Sequence, residues 1–79
     1  MSDPVLSLTV TRSASMSRGG WSEQQVQIPA GGSLLEVLQQ LGLSPAYIGI
    51  LLVNDRHATL DQKIQEGDHV KLLPPVGGG

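Results

Sequence analysis

Residues 33–42 read SLLEVLQQLG, and the rest of the chain arranges itself around that stretch. Leu34, Val37, Leu38 and Leu41 recur at the i, i+3, i+4, i+7 spacing that gives a helix one apolar face. Ser33 precedes the run and Glu36 follows it by three, the spacing of a capping box, in which each side chain satisfies a free backbone amide of the first turn. Gly42 is a natural stop, because it takes up the left-handed conformation at a helix end, and Ser44-Pro45 leads the chain away.

On both sides of this helix the period changes from 3.6 to 2. Upstream, VLSLTV (residues 5–10) places Leu6, Leu8 and Val10 on one face, and WSEQQVQI (residues 21–28) places Val26 and Ile28 on one parity with Glu23, Gln25 and Gln27 on the other. Both read as strands with one buried face. The small, polar residues 13–20 between them read as a hairpin loop. Downstream, YIGILLVN (residues 47–54) is a strand apolar on both parities, and Asn54-Asp55-Arg56-His57 is a turn. ATL (residues 58–60) has the character of a short edge strand, Ile64 is an isolated anchor, Gly67-Asp68 is a turn, and HVKLL (residues 69–73) is the last strand. A hairpin, a helix, a strand, a short strand and a final strand are best satisfied by one mixed sheet of four to five strands under one covering helix, with the last strand returning beside the first. This α+β order is the β-grasp, or ubiquitin-like, arrangement. It occupies residues 1–73 and leaves 74–79 as a flexible glycine-rich tail.

Composition narrows the function. Seventy-nine residues make a single domain near the lower size limit for unaided folding. With 39% hydrophobic residues but only 3% aromatics, the core must be aliphatic. A net charge of −2 without a basic stripe argues against nucleic acid. The chain has no cysteine, which removes disulfides, thiolate metal sites and a cysteine nucleophile together. No signal peptide is evident, and the longest apolar run is far too short to span a bilayer, so the expected location is the cytoplasm, with no membrane partner.

The side chains offer little chemistry. His57 and His69 lie twelve apart, beside turns, and read as solvated or edge histidines, because a zinc site needs three or four converging ligands. Asp55, Asp61, Glu66 and Asp68 flank turns and read as turn formers. AGGS (residues 30–33) precedes a helix N-terminus, where an anion can bind, but lacks the Gly-Lys-Ser/Thr of a phosphate loop and reads as a plain cap. Trp21, on the parity of Glu23 and Gln25, reads as packing at a strand end, with an exposed binding anchor as the alternative. The C-terminus is different. Pro74-Pro75 favours an extended geometry and projects the chain away from the sheet. Gly77, Gly78 and Gly79, with no Cβ, suit a tunnel too narrow for side chains. Judged alone, such an ending is either a frayed glycine-rich end or a segment built for insertion into another protein's active site.

Taken together, LLVNDR (residues 51–56) and QEGDHVKLLPPVGGG (residues 65–79) resemble the MoaD/ThiS family of ubiquitin-like sulfur carriers. The shared features are Val53-Asn54 at a strand end, Gly67-Asp68 before Val70, and Pro74-Pro75-Val76 leading to the terminal glycines. PPV resembles the molybdopterin-synthase small subunit more than the thiamine carrier. Gly77, and Leu72-Leu73 in place of frequent phenylalanines, depart from that branch. The resemblance implies that the Gly79 carboxylate is the reactive group. A ubiquitin-activating-type enzyme adenylates it with ATP and magnesium, and a sulfur donor converts it to a thiocarboxylate. A molybdopterin-synthase large subunit or a thiazole synthase then takes the sulfur. No cofactor is expected on the chain itself, and it is not expected to be an enzyme. Gly77 and Gly78 are expected to thread the partner's channel. Leu51, Val53, Leu73, Pro74, Pro75 and Val76 are expected to meet the partner, with Leu51, Val53, Leu73 and Val76 on or near the uncovered side of the sheet; the alternative is that the long loops cover the second face of the strand at residues 47–54. The same terminus would also serve a ubiquitin-like modifier joined to lysines, and a third possibility is a non-covalent β-grasp interaction module.

Overall fold

Strands with one apolar face must pair so that those faces fall on the same side. In the computed structural model, which describes residues 4–13 and 22–75, β1 (Val5–Arg12) and β2 (Ser22–Pro29) do so as an antiparallel pair. Leu6 stands opposite Ile28 and Leu8 opposite Val26, and Leu8, Val26 and Ile28 are buried. Helix α1 (Leu34–Leu41) follows and lays Leu34, Val37 and Leu38 on this face, with Leu41 at its margin. A 3₁₀ turn, Pro45–Tyr47, then leads into β3 (Ile50–Val53). Tyr47 belongs to that turn rather than to the strand and is 73% exposed.

The edge strand lies earlier in the chain than the sequence suggests. It is β4 (Arg56–His57), not residues 58–60. Asn54 and Asp55 both take positive φ, 53° and 68°, which makes them the two central residues of a tight hairpin turn whose twist matches the flanking strands. Four residues expected to form the turn therefore shrink to two, and Arg56 and His57 pair back with Val53 and Leu52.

The last strand, β5 (His69–Leu73), enters the middle of the sheet. It runs parallel to β1, with Val10 beside Val70 and Arg12 beside Leu72. On its other side it pairs antiparallel with β3, with Val53 opposite Val70 and Leu51 opposite Leu72. The five-stranded order is β2-β1-β5-β3-β4. Val70 and Leu72 join Leu8, Val10, Val53 and the helix in one aliphatic core.

The two helix ends are satisfied in different ways. The capping box does not form: Ser33 makes no side-chain cap. The amides of Leu34 and Leu35 donate instead to the backbone carbonyls of Gln62 (2.9 Å) and Leu60 (3.0 Å), and the Glu36 amide donates to the Ser33 carbonyl (3.0 Å). A strap from the 60–64 segment, which buries Ile64, thus supplies acceptors for the first two amides, while the Ser33 carbonyl takes the Glu36 amide that the serine hydroxyl was expected to take. At the other end the expectation holds. Gly42 has φ 72°, its amide donates to Gln39, and the Leu43 amide donates to Leu38, the two-bond pattern of a Schellman stop.

Truncating the core or straining this stop should show in urea unfolding. Leu38→Ala should lower stability by roughly 2–5 kcal/mol with the denaturant slope unchanged. Gly42→Ala should lower it by roughly 1–2 kcal/mol, the cost of a Cβ in the left-handed region.

Candidate functional site

One side of the sheet is taken by α1, and strand parity sorts what remains on the other. Ser7, Thr9 and Thr11 of β1 pair with Gln27, Gln25 and Glu23 of β2, and this half of the uncovered face is polar. Its groups are engaged with each other. Gln25 Nε2 donates to Thr9 Oγ1 at 2.8 Å, and Thr11 Oγ1 lies 2.8 Å from His69 Nε2. Lys71 Nζ reaches Asp55 at 3.7 Å. Toward the C-terminal end of β5 the face becomes apolar. Leu73 pairs with Ile50, and Leu52 sits opposite both Lys71 and His57. Ile50, Leu52 and Leu73 are each half-buried and form a small apolar corner at the root of the C-terminal segment.

This placement corrects the expectation for two residues. Val53 is only 4% exposed and lies in the core, and Leu51, opposite the buried Leu72, packs against that core. Both face the helix, so neither belongs to the uncovered side. The parity of β3 was ambiguous because it is apolar on both faces. The register resolves it: β5 shows polar His69 and Lys71 outward, so Leu73 is outward, and its antiparallel partner is Ile50. The missed residues, Ile50 and Leu52, were therefore reachable only by knowing which strand neighbours β5.

Asn54 and Asp68, fourteen apart, meet. Asn54 Nδ2 donates to Asp68 Oδ1 at 2.9 Å, the His69 amide donates to Asn54 Oδ1 at 3.0 Å, and the Asn54 amide donates to the His69 carbonyl at 2.8 Å. Asp68 also closes its own turn by accepting from the Gln65 amide at 2.8 Å. This clasp ties the β3–β4 turn to the start of β5 and fixes where the last strand begins. Glu66 accepts from the Ser7 amide, and Asp61 accepts from Thr59. Asp61 and Asp68 thus bond locally, as their turn positions suggest, whereas Glu66 reaches across to β1. The helix N-terminus has given its first amides to backbone carbonyls, so it offers no anion site. Among the described residues no three His, Asp or Glu side chains converge as a metal site would need, and no helix is long and apolar enough to cross a membrane.

The chain does not leave the sheet at Pro74 as the two prolines suggest. The Gly49 amide donates to the Leu73 carbonyl at 2.8 Å, and the backbone of Pro74 and Pro75 lies directly against Gly49. Trp21 and residues 76–79, with Gly77, Gly78 and Gly79, fall outside the described residues.

Residues 13–79 match the model of the ThiS family. No curated protein sequence matches this chain. Among solved structures, one named "Putative molybdopterin converting factor, subunit 1" from Pyrococcus furiosus superimposes with a TM-score of 0.74 at 20% identity, over 90% of this chain and 99% of that one. The HVO 2177 protein of Haloferax volcanii gives 0.76 at 21% identity, over 100% and 94% of the two chains. SAMP1 of Haloferax volcanii gives 0.68 at 23%, over 92% and 99%. At these identities the likeness is one of fold, and it establishes the β-grasp.

The two parities of β3 can be told apart by mutation. Leu51→Asp should cost at least about 2 kcal/mol in chemical denaturation, because it places a carboxylate against the core. Leu52→Ser, on the uncovered face, should shift stability by less than about 1 kcal/mol. Equal effects would contradict the register.

Proposed function

The chain belongs to the ThiS family of small ubiquitin-like sulfur carriers, and from that membership we propose that its working group is the C-terminal carboxylate of Gly79. The observation that carries the reading is that the family match runs unbroken through β5 to Gly79. The described side chains supply no competing catalytic group: the histidines and carboxylates of the turns are surface or turn-forming residues.

The chemistry follows from a weakness of the group. A carboxylate is a poor electrophile, so an activating enzyme must first give it a leaving group. In the proposed sequence a carboxylate oxygen attacks the α-phosphorus of ATP held with magnesium by a ubiquitin-activating-type partner, and pyrophosphate departs. A sulfur donor, a persulfide for example, attacks the carbonyl carbon and AMP departs. A thiol of the partner then attacks the donor's sulfur of the acyl disulfide, forming a disulfide with the donor and releasing the thiocarboxylate on Gly79. That sulfur is the nucleophile delivered to an acceptor enzyme. Pro-Pro-Val before the glycines favours a molybdopterin-synthase large subunit as acceptor over a thiazole synthase. The chain itself needs no thiol, in keeping with its lack of cysteine.

Docking falls to the apolar corner. Ile50, Leu52 and Leu73 adjoin the root of the C-terminal segment, so a partner that receives the segment in its active site also covers these three side chains, together with Pro74, Pro75 and Val76. Leu51 and Val53 take no part, since they face the core. Gly77 and Gly78 pass through the narrow part of the partner's channel.

Intact mass spectrometry of the chain from its native host tests the reading. A thiocarboxylate adds the mass difference between sulfur and oxygen to a fraction of the molecules, whereas attachment to another protein through Gly79 gives a much larger adduct and identifies a modifier. Adding one residue after Gly79 should abolish sulfur loading with the unfolding curve unchanged. Full loading of the extended chain would overturn the assignment.

A further inference from the structure

Gly49 stands where the chain enters β3, and its surroundings explain why the position is a glycine. Gly31, Gly42 and Gly67 have positive φ, whereas Gly49 does not, so conformation does not require it. Space does. A Cβ at position 49 would lie 2.3 Å from Pro75 Cα and 2.6 Å from both the Pro74 carbonyl oxygen and the Pro75 nitrogen. All three are backbone atoms of a pair whose φ angles are locked by their rings, so no side-chain rotation relieves the clash. The Gly49 amide also donates to Leu73 at 2.8 Å, one step beyond the Ile50–Leu73 pair that ends the ladder. Residue 49 therefore holds the outgoing chain at two successive places, first by a hydrogen bond and then by backbone lying on backbone.

We propose that Gly49 is a positioning residue for the terminal carboxylate: its bare backbone is the seat of Pro74 and Pro75, and that seat sets the direction and reach of the segment beyond. The proposal rests on the carrier reading above. Measured from Leu73, six residues extend at most about 20 Å; measured from a seated Pro75, the four residues 76–79 extend at most about 14 Å. Seating the prolines thus shortens the greatest distance at which the carboxylate can lie from the last anchored residue. An activating enzyme docked on Ile50, Leu52 and Leu73 must hold its ATP within that shorter radius. Orientation of this kind acts on the chemical step more than on docking, and misplacement of about 1 Å can cost on the order of a hundredfold in rate.

Gly49→Ala in the full chain separates seat from fold and binding from chemistry. Amide hydrogen exchange of the variant should show faster exchange at residue 49, with Val70 and Leu72 still protected. With the ubiquitin-activating-type enzyme of the same organism, ATP–pyrophosphate exchange should lose at least about tenfold in kcat, while KM for the carrier stays within about twofold because the apolar corner is intact. Pro74→Gly combined with Pro75→Gly, which leaves Gly49 in place, should likewise speed exchange at residue 49 and lower kcat at saturating carrier by at least about tenfold, a loss that weaker docking of these partner-facing prolines does not produce, and decides the matter alone if Gly49→Ala also loses protection at Val70 and Leu72. Unchanged protection at residue 49, or a kcat within twofold of wild type in the variant that folds, overturns the proposal. Failure of the wild-type chain itself to support exchange is a different result and brings down the carrier reading instead.

Discussion

The structure depends on one placement: β5, the last strand in the sequence, lies between the first strand and the third. Val70 and Leu72 are fully buried because they have ladder partners on both sides and the helix above. A central strand loses more than an edge strand when it slips, since a shift of one residue would exchange Val70 and Leu72 for His69 and Lys71 against the core. The clasp of Asn54 with Asp68 and His69 sits at the entry to this strand and opposes that slip. Register in β5 then determines everything beyond it, including which face receives Leu73 and where Pro74 begins.

That dependence joins fold to function. On the proposed reading the terminus is delivered from a rigid base, and a strand paired on both sides is the most constrained base a small sheet offers. The rigidity continues past the ladder through the Gly49 contact. The uncovered face is divided to match: polar where it is far from the exit, apolar at Ile50, Leu52 and Leu73 beside it.

Much of this was legible in the residues. The 3.6 period from Leu34 to Leu41, the stop at Gly42, the alternation in the first hairpin and the anchor at Ile64 all reflect local rules that tertiary structure left in place. The misreadings share one cause. Ser33 was expected to cap its own helix through its hydroxyl, but the Glu36 amide goes to the Ser33 carbonyl, and carbonyls from Gln62 and Leu60, distant in sequence, take the amides of Leu34 and Leu35. Four residues at 54–57 were expected to turn, but two in the left-handed region suffice, and pairing claims the other two. Pro74 and Pro75 were expected to leave the sheet, since neither can donate to a ladder; they stay beside it because contact with Gly49 needs no donor.

By itself the sequence determined the kinds of element, their order and the aliphatic core, because each follows from periodicity, turn chemistry or composition. Tertiary structure alone decided which face of β3 is buried. A strand apolar on both parities carries no internal signal, and only its antiparallel register with β5 turns Leu51 and Val53 inward and Ile50 and Leu52 outward. It likewise decided why position 49 has no room for a side chain, because the atoms that would crowd a Cβ there belong to residues more than twenty positions away along the chain.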